Sequence, residues 1–225
     1  MIPLKTFHGL SESKKERITR AAVEEFSEKG YARASINTIV SRLGIAKGSI
    51  FQYFGDKRGL FLFAFDTAME KVKNYLRTVR NETADENIFT RLEATLIAGL
   101  LFLQKHPMIY RLYIRTMFES VRSDPAPGFV RAETETALAI LREDSLRYLR
   151  SLMETAKARG EIREDADLDH ACFMIDAIMD RFLQARVMPH LDGGLGISHC
   201  SEDEAREWIS GLIRMLRMGI GKEQA

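Results

Sequence analysis

Residues 35–57, SINTIVSRLGIAKGSIFQYFGDK, decide the reading of this chain. In the first part Ile36, Ile39, Val40 and Leu43 recur at i, i+3, i+4 and i+7, the spacing of one buried helical face. Gly44 ends that helix, at a position where a left-handed backbone costs glycine little. A second helix over 47–53 buries Ile50 and Phe54 at i and i+4. Its other side carries Gly48, Ser49, Gln52 and Tyr53, with Lys47 at its start. A helix this short is not stable alone. The helix before it must hold it, with a small polar face pointing outward. Two helices joined in this way by a glycine-bearing turn form a helix-turn-helix, whose second helix suits the major groove of DNA.

Outward from this stretch the apolar residues keep helical spacing almost throughout, and there is little strand signal. The chain is expected to be all-α, with about nine helices: 13–29, 35–43, 47–53, 57–80, 87–105, 107–121, 129–159, 167–188 and 202–218. Gly30 stops the first, and Asp56 offers a side-chain oxygen to the free N–H groups that start the fourth. Pro107 forces a new start, since proline fits a first turn but not a helix interior. The run SDPAPG at 123–128 is a breaker, and Gly160 ends the seventh helix. The eighth helix is apolar around most of its circumference, so it must be buried on more than one side, either at the centre of a domain or against another subunit. The ninth carries a stripe of Ala205, Trp208, Ile209, Leu212, Ile213 and Leu216. No internal repeat or low-complexity tract is present.

At 225 residues, 45% hydrophobic and 29% charged, the composition is that of an ordinary globular protein with ample core. The net charge of +1 hides an asymmetry: residues 1–60 hold 11 Lys/Arg against 6 Asp/Glu, and the remainder 22 against 26. A basic end on a mildly acidic body points to a polyanion partner for the N-terminal part. The longest uncharged run, 94–104, is too short to span a bilayer, and the start lacks the apolar core of a secretory signal. The expected compartment is the cytoplasm. Two cysteines, Cys172 and Cys200, make no disulfide framework, and Cys172 reads as a small buried hydrophobe. The common metalloprotease, phosphate-loop and serine-nucleophile motifs are absent, so no catalytic residues are expected. His190, Asp192, His199 and Cys200 share a glycine-rich loop, but their spacing matches no common zinc pattern. A flexible loop without metal is expected there.

The N-terminal 60 residues resemble the DNA-binding domain of the TetR (tetracycline-repressor) family of bacterial transcriptional regulators. The resemblance rests on two runs, AAVEEFSEKGYARAS at 21–35 and IVSRLGIAKGSIFQYFGDKRGLF at 39–61. Within them stand the Gly30–Tyr31 pair, the hydroxyl of Ser35, the turn residues Gly44, Ile45, Lys47 and Gly48, the aromatic cluster Phe51, Tyr53 and Phe54, and the closing Lys57. Two residues depart from the pattern. Ala46 stands where Ser or Thr is frequent, and Phe51 where tyrosine is common, so one hydroxyl cap and one phosphate donor are missing. The resemblance implies domains at 1–56, which binds DNA, and at 57–225, a helical effector-binding and dimerisation domain.

Roles at the DNA site follow from reach. Lys47 and Lys57 bracket the second helix and are the expected phosphate partners, with Ser35 offering its hydroxyl and nearby N–H groups. Gly48 allows close approach, beside Ser49. Gln52 can pair with an adenine edge, and Tyr53 can reach a phosphate or a thymine methyl. Thr38 and Arg42 are secondary candidates. The resemblance further implies a ligand-responsive regulator, by family default a repressor. It would bind a near-palindromic operator as a homodimer through the eighth and ninth helices, and let go when an unidentified, largely apolar small molecule binds. Candidate pocket residues are Phe65, Met69, Leu100, Leu103, Tyr110, Tyr113, Met117, Tyr148, Phe173 and Asp176, and candidate interface residues are Phe182, Trp208, Ile209, Leu212 and Leu216. Asp176, Asp180, Arg181 and Gln184 interrupt the apolar eighth helix, and Arg111 and Arg115 share a face of the sixth. Buried charges of this kind need partners, in a ligand or across an interface. The rival reading is a helical adaptor that uses its helix-turn-helix for protein contacts.

Overall fold

Helix boundaries in the computed structural model, which describes residues 5–122 and 131–221, fall where the capping groups place them. The break expected at 123–128 and the start of the helix at 129 lie outside the described residues. All nine expected helices form: α2 (Glu12–Arg33), α3 (Ile36–Leu43), α4 (Lys47–Phe54), α5 (Lys57–Glu82), α6 (Ile88–Lys105), α7 (Pro107–Ser120), α8 (Arg131–Ala158), α9 (Leu168–Val187) and α10 (Glu202–Ile220). A short α1 (Lys5–His8) precedes them, and Pro189–Leu191 is a single 3-10 turn. Among the described residues the only β pairing is an isolated bridge between Ile162 and Gly221.

The starts are explained by side chains. An Asp56 carboxylate oxygen accepts the Gly59 N–H at 2.7 Å. Asn87 accepts the N–H groups of Phe89 and Thr90 at 3.0 and 3.1 Å. Asp167 accepts from His170, and α10 opens with a full capping box between Ser201 and Glu204. α2 is bent at Gly30, whose φ of 69° ends the regular helix before the residues of its last turn.

The chain folds as two compact units, one of Met1–Asn74 with Lys105–Ile140, the other of Tyr75–Gln104 with Leu141–Ala225. In the first, α2 packs on α3 and α7. Its core is largely aromatic. Phe26 and Phe61 meet edge to face at 5.1 Å, with Tyr31 5.2 Å from Phe61. Around them Ile18, Ile39, Ile50, Leu60 and Leu112 are each at most 1% exposed. The second unit has an aliphatic core drawn from α6, α8, α9 and α10, including Leu96, Leu100, Met153, Ile175, Ile209 and Ile213. There Gly99 lets α6 come close to α9, because a Cβ at 99 would stand 3.1 Å from a methyl carbon of Leu183.

Candidate nucleic-acid interface

α4 owes its orientation to its own sequence. Ile50, Tyr53 and Phe54, at i, i+3 and i+4, are 0%, 8% and 5% exposed. Gly48, Phe51 and Gln52 occupy the opposite face and Lys47 stands at the start of the helix; all four are exposed, with Ser49 half-buried at the edge. The turn that sets this angle has Gly44 at φ 66° and ψ 34°, with the Ile45 N–H bonded to the Val40 carbonyl at 3.2 Å. Ala46 is the N-cap of α4 and supplies no side-chain hydrogen bond, so the first N–H groups of the helix lack a hydroxyl partner there. α3 buries Ile36, Ile39 and Leu43 and turns Asn37 and Ser41 outward, with Thr38 and its N-cap Ser35 half-buried. Ser35 does not cap α3 with its hydroxyl. Instead its N–H donates to the buried carboxylate of Glu25 at 3.0 Å.

A Cβ at Gly48 would meet no heavy atom within 4 Å, so no neighbour within the chain requires glycine there. The exposed phenyl of Phe51, 41% accessible, and the outward Asn37 and Ser41 were not among the expected site residues. Their positions on the helical wheel, between residues already placed outward, carried the signal.

Three expected DNA contacts take other positions. Tyr53 is packed inward, with Phe7 of α1 edge-on at 6.0 Å, so its ring belongs to the support of α4 rather than to its outer face. Lys57 donates to the Ala32 carbonyl at 3.1 Å and lies 4.9 Å from the centre of the Tyr31 ring, which ties the start of α5 to the end of α2. Burial lowers its pKa, against the raising influence of Glu25. Arg42 turns back to α2, where Glu24, Glu25 and Glu28 lie 3.9, 3.6 and 3.8 Å from its guanidinium.

α1 also joins this site. The Thr6 hydroxyl donates to the Gln52 carbonyl at 2.7 Å, and Phe7, 3% exposed, packs against Phe54 and Phe63 at 5.0 and 4.9 Å. Four residues are too few for a periodic signal, so the sequence did not mark this helix.

The ten candidate pocket residues divide between the units. Phe65, Met69, Tyr110, Tyr113 and Met117 belong to the first, and Leu100, Leu103, Tyr148, Phe173 and Asp176 to the second. Phe65, Met69 and Leu100 are buried core. Tyr148 lies between two arginines, with the Arg80 guanidinium 3.7 Å over its ring and Arg91 donating to its hydroxyl at 3.1 Å. Phe173 is 74% exposed on the outside of α9 and lines no interior space. The charges of α9 find partners within the chain: Arg142 reaches Asp176 at 2.7 Å and Asp180 at 3.4 Å, and Arg181 donates to the Leu191 carbonyl. Burial raises the Asp176 pKa, Arg142 lowers it and Asp180 raises it. Arg111 and Arg115 are exposed on α7.

Of the candidate interface residues, Phe182, Ile209 and Leu216 are 3%, 0% and 3% exposed in the core of their own unit, so they are not free to meet a partner. Trp208 and Leu212 are only partly covered. The glycine-rich loop is ordered around Asp192, which accepts the N–H groups of Gly196 and Ile197 at 3.1 and 2.9 Å and the Ser198 hydroxyl at 3.2 Å. Among the described residues no group of His, Cys, Asp and Glu is arranged to hold a metal ion, and no helix is long and apolar enough to cross a membrane.

Residues 18–63 match the model of the bacterial regulatory proteins, tetR family. The uncharacterized HTH-type transcriptional regulator YvdT of Bacillus subtilis is 31% identical over 97 residues, 41% of this chain; the chain spans about half the length of that relative, 47%. A TetR family regulator from Chloroflexus aurantiacus has the same fold over 99% of this chain and 100% of its own, with a TM-score of 0.68 and 25% identity. FadR of Bacillus subtilis, solved in complex with stearoyl-CoA, matches over 91% of this chain and 98% of its own, with a TM-score of 0.67 and 21% identity. These relatives are regulators of transcription and not enzymes. Residues 18–63 thus match the tetR family of bacterial regulatory proteins, and the chain as a whole is similar in fold to TetR family regulators of transcription.

Proposed function

We propose that this protein binds double-stranded DNA through the exposed face of α4 and represses transcription until a small effector releases it. The observation that carries this is the division of α4. One side is fully buried, and the other offers Gly48, Phe51 and Gln52 to solvent, with Lys47 exposed at the start of the helix. Such a helix cannot shift without unpacking its support, so its outer side chains are held in fixed register for a groove. Lys47 meets a phosphate, Gln52 reads a base edge, and Gly48 lets the helix start come close. Ser35, Thr38 and Ser49 flank them. The functional division we infer is 1–56 for DNA and 57–225 for effector and partner.

One short helix reads only a few base pairs, so useful specificity calls for two copies on a near-palindromic site, with their helices about 34–36 Å apart. The homodimer we infer uses the outer faces of α9 and α10. Phe173, Met215 and Met218 are 74%, 73% and 80% exposed there. A groove of about 860 Å³ along α10 includes Met215 and Met218 together with Leu195, Trp208 and Leu212, and is edged by His199, Glu204, Glu207 and Arg214. Apolar exposure on this scale favours a second protein surface over water. The effector we infer is small and largely apolar, in keeping with the acyl chain of the ligand bound to FadR. A cytoplasmic location fits a protein that binds the chromosome.

Selection of bound sequences from a random duplex pool, followed by titration of the selected and a scrambled duplex at several salt concentrations, tests the reading. Preference for one inverted repeat, with affinity falling as salt rises, is expected. A helical dimer with no duplex affinity at any salt would instead be the adaptor.

A further inference from the structure

The first unit contains a cleft of about 800 Å³ that the DNA-reading face does not use. It opens between α2, the middle of α5 and the start of α7. Its floor is apolar: Phe7, Val23, Ala68 and Ile109 are 3%, 7%, 2% and 9% exposed, and Phe63 completes it. Its volume lies within the roughly 300–1,000 Å³ of typical small-molecule sites.

The charges around it are mixed on the α2 wall and basic on the side formed by α5 and the start of α7. On the α2 wall Glu12 is bonded to Lys15 at 2.8 Å, and Glu24 stands 3.9 Å from Arg42, so these acids are already matched. Glu16 and Arg20 lie on the same wall. At the other end Lys71 of α5 and Lys105 at the close of α6 stand beside His106, the residue that precedes α7. Burial depresses the imidazole pKa of His106, and the ammonium groups of Lys71 and Lys105 depress it further, which puts both cations within electrostatic reach of one ring. Neither lysine forms an ion pair or hydrogen bond among the described residues. A carboxylate placed beside His106 would meet both ammonium groups, neither of which is committed to a partner there.

We propose that this cleft binds an amphipathic carboxylate, with its head group between Lys71 and Lys105 and its alkyl chain along Phe7, Val23 and Phe63. The site lies in the first unit; its head-group end falls within the part, 57–225, inferred above to bind effector, so the proposal deepens that reading by placing a ligand there, and its α2 wall falls in the DNA-binding part. It also touches the reading helix through one residue. Phe7 is both a wall of the cleft and the ring packed on Tyr53 and Phe54 of α4. A chain seated against Phe7 therefore bears on the support of α4.

Calorimetric titration of the full chain with decanoate tests this. One saturable site per chain is expected, with decan-1-ol binding about tenfold more weakly because it lacks the charge. Lys71→Ala with Lys105→Ala, both at exposed positions, should weaken decanoate by about tenfold. Thr67→Trp, at an exposed position on the wall of the cleft, should abolish binding by filling the trough. Circular dichroism of each variant shows that it is folded. Absence of saturable binding overturns the proposal, and so does decanoate binding that both variants leave unchanged. Loss with Thr67→Trp alone overturns the assigned head-group position. None of these outcomes depends on whether the protein binds DNA.

Discussion

α4 and α10 are built alike and finished differently. Each buries one stripe and exposes another. α4 buries Ile50 and Phe54 and shows Lys47, Gly48 and Gln52; α10 buries Ile209, Ile213 and Leu216 and shows Met215 and Met218 beside the half-covered Trp208 and Leu212. α10 has 19 residues and a complete capping box, whereas α4 has 8 and a cap residue without a hydroxyl. The buried stripes look interchangeable. The open faces do not: a small, largely polar face with one cation suits a hydrated polyanion, and methionines set among charged residues suit an apolar contact with a polar rim. What a helix is for is written on the side its own fold leaves open.

The comparison predicts that Met215→Glu acts only on self-association. We expect the dimer dissociation constant to rise by at least about a hundredfold, because a carboxylate would be buried without a partner in that contact. Sedimentation velocity checks this, and an undisturbed dimer would remove the α10 face from the interface. On α4 we predict that Gln52→Ala costs about 1–3 kcal/mol of discrimination at one base position while general affinity stays. Binding to duplexes varied at each position in turn measures it, and equal loss on every sequence would make Gln52 a backbone contact. Lys47→Ala should weaken all duplexes by about tenfold and reduce the salt slope by about one. A salt slope that does not move would remove Lys47 from the phosphate contacts. The finest effect concerns Gly48→Ala. Alanine should stabilise the isolated protein by up to about 1 kcal/mol, as helix propensity and the open space around Gly48 both allow. Affinity for DNA should nevertheless fall, since the added methyl meets the duplex. Thermal denaturation and DNA titration of the same sample must move in opposite directions; if both improve, close approach at Gly48 is wrong.

Most of the fold was legible because its helices carry long apolar stripes and ordinary punctuation. Asp56, Pro107 and Gly44 each act as their chemistry demands. At the candidate site the outward placement of Gly48 and Gln52 was legible, and the surroundings of the flanking residues were not. Tyr53 reads as an outward polar residue by type, yet its spacing from Ile50 and Phe54 puts it on the buried side. Lys57 and Arg42 look like free cations in sequence, and their partners, the Ala32 carbonyl and the α2 glutamates, lie 25 and 14–18 positions away, beyond any local pattern. The candidate interface residues divide for a related reason. A stripe of apolar residues marks what must be covered without saying whether the same chain covers it. Ile209 and Leu216 are covered from within, whereas Met215 and Met218 are left exposed.

The cluster around Arg42 has a consequence for genetic screens. Glu25 is buried, one carboxylate oxygen holds the Ser35 N–H, and its other oxygen has Arg42 as its nearest cation. Removing the guanidinium would free a buried negative charge beneath the first residue of the reading motif and leave Glu24 and Glu28 uncompensated beside it. Arg42→Ala would therefore score as a loss-of-binding allele without any contact between Arg42 and DNA. A second change, Glu25→Gln, should rescue it, because the amide carbonyl still accepts the Ser35 N–H and carries no charge. A suppressor at position 25, rather than a compensating change in the operator, is the signature by which such a screen would tell a residue that touches DNA from one that holds the reader in place.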